Sequence, residues 1–156
     1  MAHLSESLEV DAAPEAVYEL VSDLPRMGSW SPECTGITWR GDVRRPVGGA
    51  RFVGHNRSGR LRWSTFGEVV AAEPGRRFAF EVTVGPVRVA RWEYLFDTTA
   101  SGCTATEEWT DRRPALMRKL MDAAVGSREK ANRRGMQATL AALKTEAERQ
   151  AQAASA

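Results

Sequence analysis

The sequence predicts an α+β domain in which a curved seven-stranded antiparallel sheet wraps around a long C-terminal helix. Three observations carry this expectation. Residues 34–110 read as strands and turns alone. From Pro114 to about Glu148 the apolar residues recur at helical spacing. The aromatic side chains are segregated: all but Tyr18 lie between Trp30 and Trp109, and the last 47 residues contain none. A sheet rich in flat rings thus faces a helix that offers only Leu, Met, Val and Ala.

The elements follow in order. Ser5–Val10 alternates polar and apolar residues, the period of a half-buried strand. Ala13-Pro14-Glu15 opens a short helix with proline and an acid in its first turn, and Val17, Leu20 and Val21 supply its apolar face. Asp23-Leu24-Pro25 breaks that helix, and a second short helical coil is expected within residues 26–32. Strands are expected near 35–41, 50–57, 61–72, 77–84, 88–97 and 103–110, separated by Pro46-Val47-Gly48-Gly49, Ser58-Gly59, Glu73-Pro74-Gly75, Gly85-Pro86 and Ser101-Gly102. Such a meander is antiparallel, with one wet face and one covered face. In the last element Leu116, Met117, Leu120, Met121 and Val125 form one stripe, which Met136, Leu140 and Leu143 resume. The mostly polar stretch from Gly126 to Gly135 predicts a kink or a wetter mid-section between the two parts. With no linker and no internal repeat, residues 1–148 read as one domain and residues 149–156 as a frayed tail.

Composition narrows the function classes. Apolar residues make up 42% and charged residues 27%, which disfavours disorder, and no apolar run reaches the ~18 residues of a spanning helix. The start lacks the basic-then-apolar pattern of a signal peptide, and two cysteines are too few for a disulfide framework, so the cytoplasm is the expected compartment. A net charge of +2 gives little pull toward nucleic acid. His3 and His55 are isolated, and Cys34 and Cys103 are far apart, so neither a zinc site nor a Cys-His or Ser-His nucleophile is expected. No glycine motif for nucleotide phosphates occurs. No metal or cofactor is expected.

The order strand, two short helices, six strands, long helix resembles the helix-grip fold of the START-like superfamily. Within it, Val21-Ser22-Asp23-Leu24-Pro25-Arg26-Met27-Gly28-Ser29-Trp30-Ser31-Pro32-Glu33-Cys34 resembles the opening segment of bacterial polyketide cyclase/dehydrase-like (SRPBCC) proteins. The stretches 49–57, 68–80, 106–109 and 132–136 are similar to that family's later strands and final helix. The resemblance implies an internal cavity between sheet and helix. It leaves function open, because the family includes aromatase/cyclases, lipid carriers and hormone-binding proteins.

Candidate cavity residues are Trp30, Trp39, Phe52, Trp63, Phe80, Trp92, Tyr94 and Phe96 from the sheet side, with Met117, Met121 and Val125 from the helix. Asn56 shares parity with Phe52, and Thr65 with Trp63, so both are candidate polar contacts. A slip of one residue in register would exchange Trp92 and Tyr94 for Arg91 and Glu93. Tyr94, Arg91, Asn56 and Glu108 are candidate catalytic groups. A glutamate of the Glu107-Glu108 pair, placed in an apolar pocket, would act as acid or base; in the alternative, one is solvated and the other pairs with Arg91. Arg40, Arg44, Arg45, Arg51, Arg57, Arg60 and Arg62 crowd a short stretch with a single acid, Asp42, and are a candidate docking patch for an acidic carrier protein or an anionic ligand head group; in the alternative they are a solvated hairpin. Three readings therefore stand: a binder of a hydrophobic small molecule, lipid-like or aromatic; a polyketide cyclase or dehydratase; and a protein-interaction module built on the arginines.

Overall fold

Alternating side chains build seven strands, and a computed structural model describes them over residues 3–156. Strand β1 (His3–Val10) is followed by helix α1 (Pro14–Ser22) and a 3-10 segment (Leu24–Ser29). Then come β2 (Cys34–Arg40), β3 (Arg51–Ser58), β4 (Leu61–Glu73), β5 (Arg77–Val84), β6 (Val87–Thr98) and β7 (Cys103–Asp111). Helices α2 (Ala115–Val125) and α3 (Arg128–Ala154) complete the chain. The strands form one antiparallel sheet in the order β1-β7-β6-β5-β4-β3-β2. Bulges interrupt the pairing at Cys34/Gly36, Val69/Ala71 and Val82/Thr83, and bulges of this kind bend a sheet and deepen its twist. Helix α3 lies across the concave side against β1, β7 and α1. This is the helix-grip architecture, with the α+β layering the pattern predicts.

The core gathers where α1 and the second half of α3 meet the sheet. Val17, Val21 and Leu24 are fully shielded, as are Phe78 on β5 and Cys103 on β7. Tyr18 meets Phe78 and Phe96 edge-on, with ring centroids 6.1 and 6.3 Å apart. Met136, Leu140, Leu143 and Ala147 recur at helical spacing and supply the buried face of α3. Among the described residues, no helix is long and apolar enough to cross a membrane.

The C-terminal part departs from expectation in two ways. The kink is a full break. Gly126 takes φ +86° and ψ 172°, a conformation only glycine adopts readily, and Ser127 then caps α3 by accepting a hydrogen bond from the Lys130 backbone. Helix α2 is thereby released from the axis of α3, and none of its residues is buried. The residues beyond Glu148 are also helical up to Ala154 rather than frayed. Ala151 packs against the core, and Glu146 binds Arg149 and Gln150 along that last stretch. At the other end, His3 belongs to β1, where its ring bonds to the Thr110 hydroxyl.

Candidate functional site

Inward-facing residues of β2 to β7 and the facing helices leave a cavity of about 420 Å³. That volume falls within the range that accommodates small organic ligands. Parity decides who lines it. On β6 Trp92 and Tyr94 face inward, and on β7 Glu107 and Trp109 do so, because the strands pair Trp92 with Trp109 and Tyr94 with Glu107. The two indole rings lie 6.3 Å apart. Phe52 and Phe80 pack edge to face beneath them, with centroids separated by 5.4 Å. Gly67 makes this possible: a side chain there would strike the Phe52 ring, since an added Cβ would sit 2.1 Å from it. Trp63 and Leu61 close one side from β4, while Met117, Met121 and Val125 of α2 and Asn132, Met136 and Thr139 of α3 cover the top.

The lining is predominantly apolar, and its polar groups are mostly committed to one another. Arg113 grips Asp111 through two nitrogens at 2.9 and 2.7 Å and reaches Asp122 of α2 at 3.1 Å. Burial raises the Asp111 carboxyl, but the hydrogen bonds and charge of Arg113 outweigh it and hold the group below its ordinary range. Arg128 makes a two-point pair with Glu33 at 3.1 and 2.6 Å, donates to Asn132 and sits 5.9 Å from the centre of the Trp63 ring. Asn56 and Thr65 meet side by side at 3.5 Å. Burial pushes the Cys34 thiol, also on the wall, above its usual range.

One buried pair is different. The Tyr94 hydroxyl donates to Oε1 of Glu107 at 2.8 Å, whereas Oε2 of Glu107 is buried without any partner. Burial raises the Glu107 carboxyl to about 8, against a smaller lowering by the Tyr94 hydrogen bond. Burial, with the neighbouring Glu107 acting in the same direction, lifts Tyr94 well above the ordinary phenol range. A carboxyl held as a neutral acid near pH 7, in contact with a phenol, can donate a proton or polarise a carbonyl.

The structure gathers ten of the candidate cavity residues: Phe52, Asn56, Trp63, Thr65, Phe80, Trp92, Tyr94, Met117, Met121 and Val125. Trp30, Trp39 and Phe96 lie outside it. Trp30 is buried beside the 3-10 segment with Arg26 over its ring, Trp39 packs edge-on against Phe52, and Phe96 fills the core against Tyr18. Two proposed catalytic groups face away from the cavity. Arg91 lies on the outer surface of the sheet between Glu81 and Glu93, and Glu108 stands beside His3. Neither glutamate of the pair on β7 touches Arg91. The arginine-rich stretch does not make one patch either. Arg40, Arg44, Arg45 and Arg51 gather at the start of β3, Arg57, Arg60 and Arg62 at its far end, and the strand between spans about 23 Å at ~3.3 Å per residue. Arg40 stacks over Phe66, and Arg51 pairs with Glu68. Sequence reasoning left Trp109, Arg113, Arg128 and Asn132 out of the site. For Trp109 a signal existed, since it shares parity with Glu107 on β7.

Comparison with known proteins fits this geometry. A family model described as "Polyketide cyclase / dehydrase and lipid transport" matches residues 1–148. A Polyketide_cyc-like protein from Corynebacterium glutamicum, solved by NMR, is 34% identical over 91% of this chain and 88% of its own, with a TM-score of 0.56. The di-domain ARO/CYC StfQ of the steffimycin biosynthetic pathway shares the fold at a TM-score of 0.76 and 14% identity over 96% of this chain. The present chain spans about half of StfQ, 51% of its length. The ZhuI aromatase/cyclase of a Streptomyces species shares the fold at a TM-score of 0.69 and 17% identity, covering 98% of this chain and 97% of its own. No curated protein sequence matched. By the family model and the Corynebacterium relative, the chain belongs to the polyketide cyclase/dehydrase and lipid-transport family.

Proposed function

We propose that this protein binds a hydrophobic small molecule, aromatic or lipid-like, in the cavity between the sheet and the C-terminal helices. The observation that carries the reading is the cavity itself: about 420 Å³ walled by Phe52, Trp63, Phe80, Trp92, Trp109 and the methionines of α2 and α3. Burying a ligand against that wall supplies affinity at roughly 25 cal/mol per Å² of apolar surface removed from water, before the costs of association. The flexible methionines adapt to its shape. Native mass spectrometry of freshly purified protein, followed by solvent extraction, tests this. The expected result is an added mass that leaves on denaturation. A bare mass that stays bare after incubation with long-chain esters and polycyclic aromatic ketones would overturn it.

The Tyr94–Glu107 pair favours a second reading, a cyclase or dehydratase acting on a carrier-bound polyketide chain, with these two side chains as proton donors. In that reading Arg57, Arg60 and Arg62, which flank Leu61 of the cavity wall, would be the arginines that meet an acidic carrier. The two readings differ in kinetics. In a binder, Tyr94→Phe weakens the complex by about 1 kcal/mol. In a cyclase, Tyr94→Phe or Glu107→Gln lowers the rate on the order of a hundredfold or more.

A further inference from the structure

The outer face of the sheet, away from the cavity, carries an arginine pair that the fold leaves unmatched. Elsewhere on this face cations meet acids: Arg77 pairs with Glu93, Arg91 lies between Glu81 and Glu93, and Arg88 and Arg112 reach Glu81. On β3 and β4 the alternation that turns Asn56 and Trp63 toward the cavity turns His55, Arg57, Arg62 and Ser64 outward. The register sets Arg57 directly opposite Arg62, and His55 opposite Ser64. Like charges so placed repel across the strands. Among the described residues neither arginine has an ion-pair partner. Glu33, whose carbonyl accepts from the Arg57 backbone, gives its carboxylate to Arg128, and Glu68 gives its own to Arg51.

Together with Thr35, these side chains line a groove of about 430 Å³ that contains no aspartate or glutamate. Local hydrogen bonds hold its shape. The Thr35 hydroxyl donates to the His55 carbonyl at 3.1 Å, and Nδ1 of His55 shares a hydrogen bond with the Ser64 hydroxyl at 3.1 Å. Nε of Arg57 donates to the Gly59 carbonyl at 3.0 Å, which pins that guanidinium. The terminal nitrogens of Arg57, the whole fork of Arg62 and Nε2 of His55 have no hydrogen-bond partner among the described residues.

We infer that this outer groove binds the dianionic phosphate group of a soluble phosphate monoester, gripped between Arg57 and Arg62 with His55 and Ser64 beside it. A carboxylate has two oxygens and is satisfied by one guanidinium fork, whereas a phosphate monoester offers three terminal oxygens and the charge to engage two. One dianion therefore neutralises the cross-strand repulsion that the protein leaves standing. The groove is larger than a phosphate group and leaves room for the esterified part of the molecule. A lipid head group fits less well, because the groove offers a membrane no free apolar anchor. Leu61 at the hairpin tip belongs to the cavity wall, and Phe66, the next outward residue of β4 after Ser64, lies under Arg40. The site stands on the opposite side of the sheet from the cavity and does not depend on what the cavity binds.

The test titrates phenyl phosphate, benzoate and sodium chloride into the full chain at constant ionic strength and about pH 7.5, where the monoester is mostly a dianion, and follows the backbone amides by NMR. Phenyl phosphate is expected to give saturable shifts centred on residues 55–57 and 62–64, benzoate to bind several-fold more weakly, and chloride not to saturate. Arg62→Gln should weaken phenyl phosphate about two- to fivefold, the value of one exposed ion pair, and Arg57→Gln with Arg62→Gln about tenfold. Both arginines are exposed, and removing their repulsion should leave the melting temperature level or raise it, so lost binding would not reflect lost folding. Shifts that fail to saturate or that centre on Trp92 and Trp109, benzoate binding as tightly as phenyl phosphate, or an unchanged affinity in the double variant would each overturn the inference and leave the cavity reading intact. Retention on phosphatidylcholine vesicles containing phosphatidic acid, lost in the double variant, would give the face to a lipid surface and overturn the soluble ligand.

Discussion

The two ends of the molecule solve opposite problems with the same materials. Where α1 and the second half of α3 lie on the sheet, apolar side chains are sealed: Phe78, Val17, Val21 and Leu24 are 0% exposed and Leu143 only 1%. Around α2 the apolar side chains are numerous but unsealed. Leu116 is 70% exposed, Leu120 64% and Val125 55%, and Leu61 on the neighbouring hairpin is 52%. The difference begins at one glycine. Gly126 breaks the helix between α2 and α3, and Trp63, Trp92 and Trp109 line the cavity whereas Phe78 and Phe96 pack against Tyr18 in the core. Close packing at one end supplies stability, and loose packing at the other leaves room for a ligand.

The comparison breaks first in stability. Phe78→Ala in the sealed half should cost about 3–5 kcal/mol in chemical denaturation, the penalty for a large cavity in a packed core. A loss under 1 kcal/mol would mean that this end is not the stabilising one.

The buried acid at the boundary gives the next effect. Glu107 ionises near 4.5 when unfolded and near 8 when folded. The folded chain therefore keeps a proton that the unfolded chain has released. Its contribution to stability is fully present below about pH 4.5, declines as pH rises, and levels off above about 8. The total decline is a few kcal/mol, bounded by about 5 kcal/mol from the size of the shift. Denaturation midpoints of wild type and Glu107→Gln across pH 5–9 isolate it. Wild type should lose stability relative to the glutamine variant as pH rises, and parallel curves would show that the carboxyl is not buried as described.

The smallest effect belongs to the open end. Leu116→Ser and Leu120→Ser should each change stability by no more than about 0.5 kcal/mol, because neither side chain is withdrawn from water. A loss above 1.5 kcal/mol from either would mean that α2 packs more tightly than this.

Much of this was legible from residue patterns, and the misses have physical causes. Alternation in Phe78-Ala79-Phe80-Glu81-Val82 and Trp92-Glu93-Tyr94 says that Trp92 and Tyr94 share one face, and the strand pairing decides that this face is the inward one. In Glu107-Glu108 the repeated acid conceals parity, and only the shared face with Trp109 separates the buried glutamate from the exposed one. The helical stripe of α2 is real, yet periodicity says which residues share a face, not what that face meets. Its direction depends on the backbone at Gly126. The arginines of residues 40–62 are near neighbours in the chain and lie apart in space because β3 runs between them. Arg113 and Arg128 owe their places to partners distant or differently oriented in the chain, Asp111 and Asp122 for one and Glu33 for the other, which no local spacing announces.

The five tryptophans offer the most direct test of the central claim, because they divide cleanly between cavity and scaffold. Trp63, Trp92 and Trp109 line the chamber, whereas Trp30 and Trp39 pack elsewhere. Their indole N–H resonances, assigned by single substitution, should be followed while 2-acetylnaphthalene is added. The account predicts saturable shifts at Trp63, Trp92 and Trp109 with Trp30 and Trp39 nearly unmoved. Shifts centred on Trp30 or Trp39, or none at any of the five at millimolar probe, would contradict it.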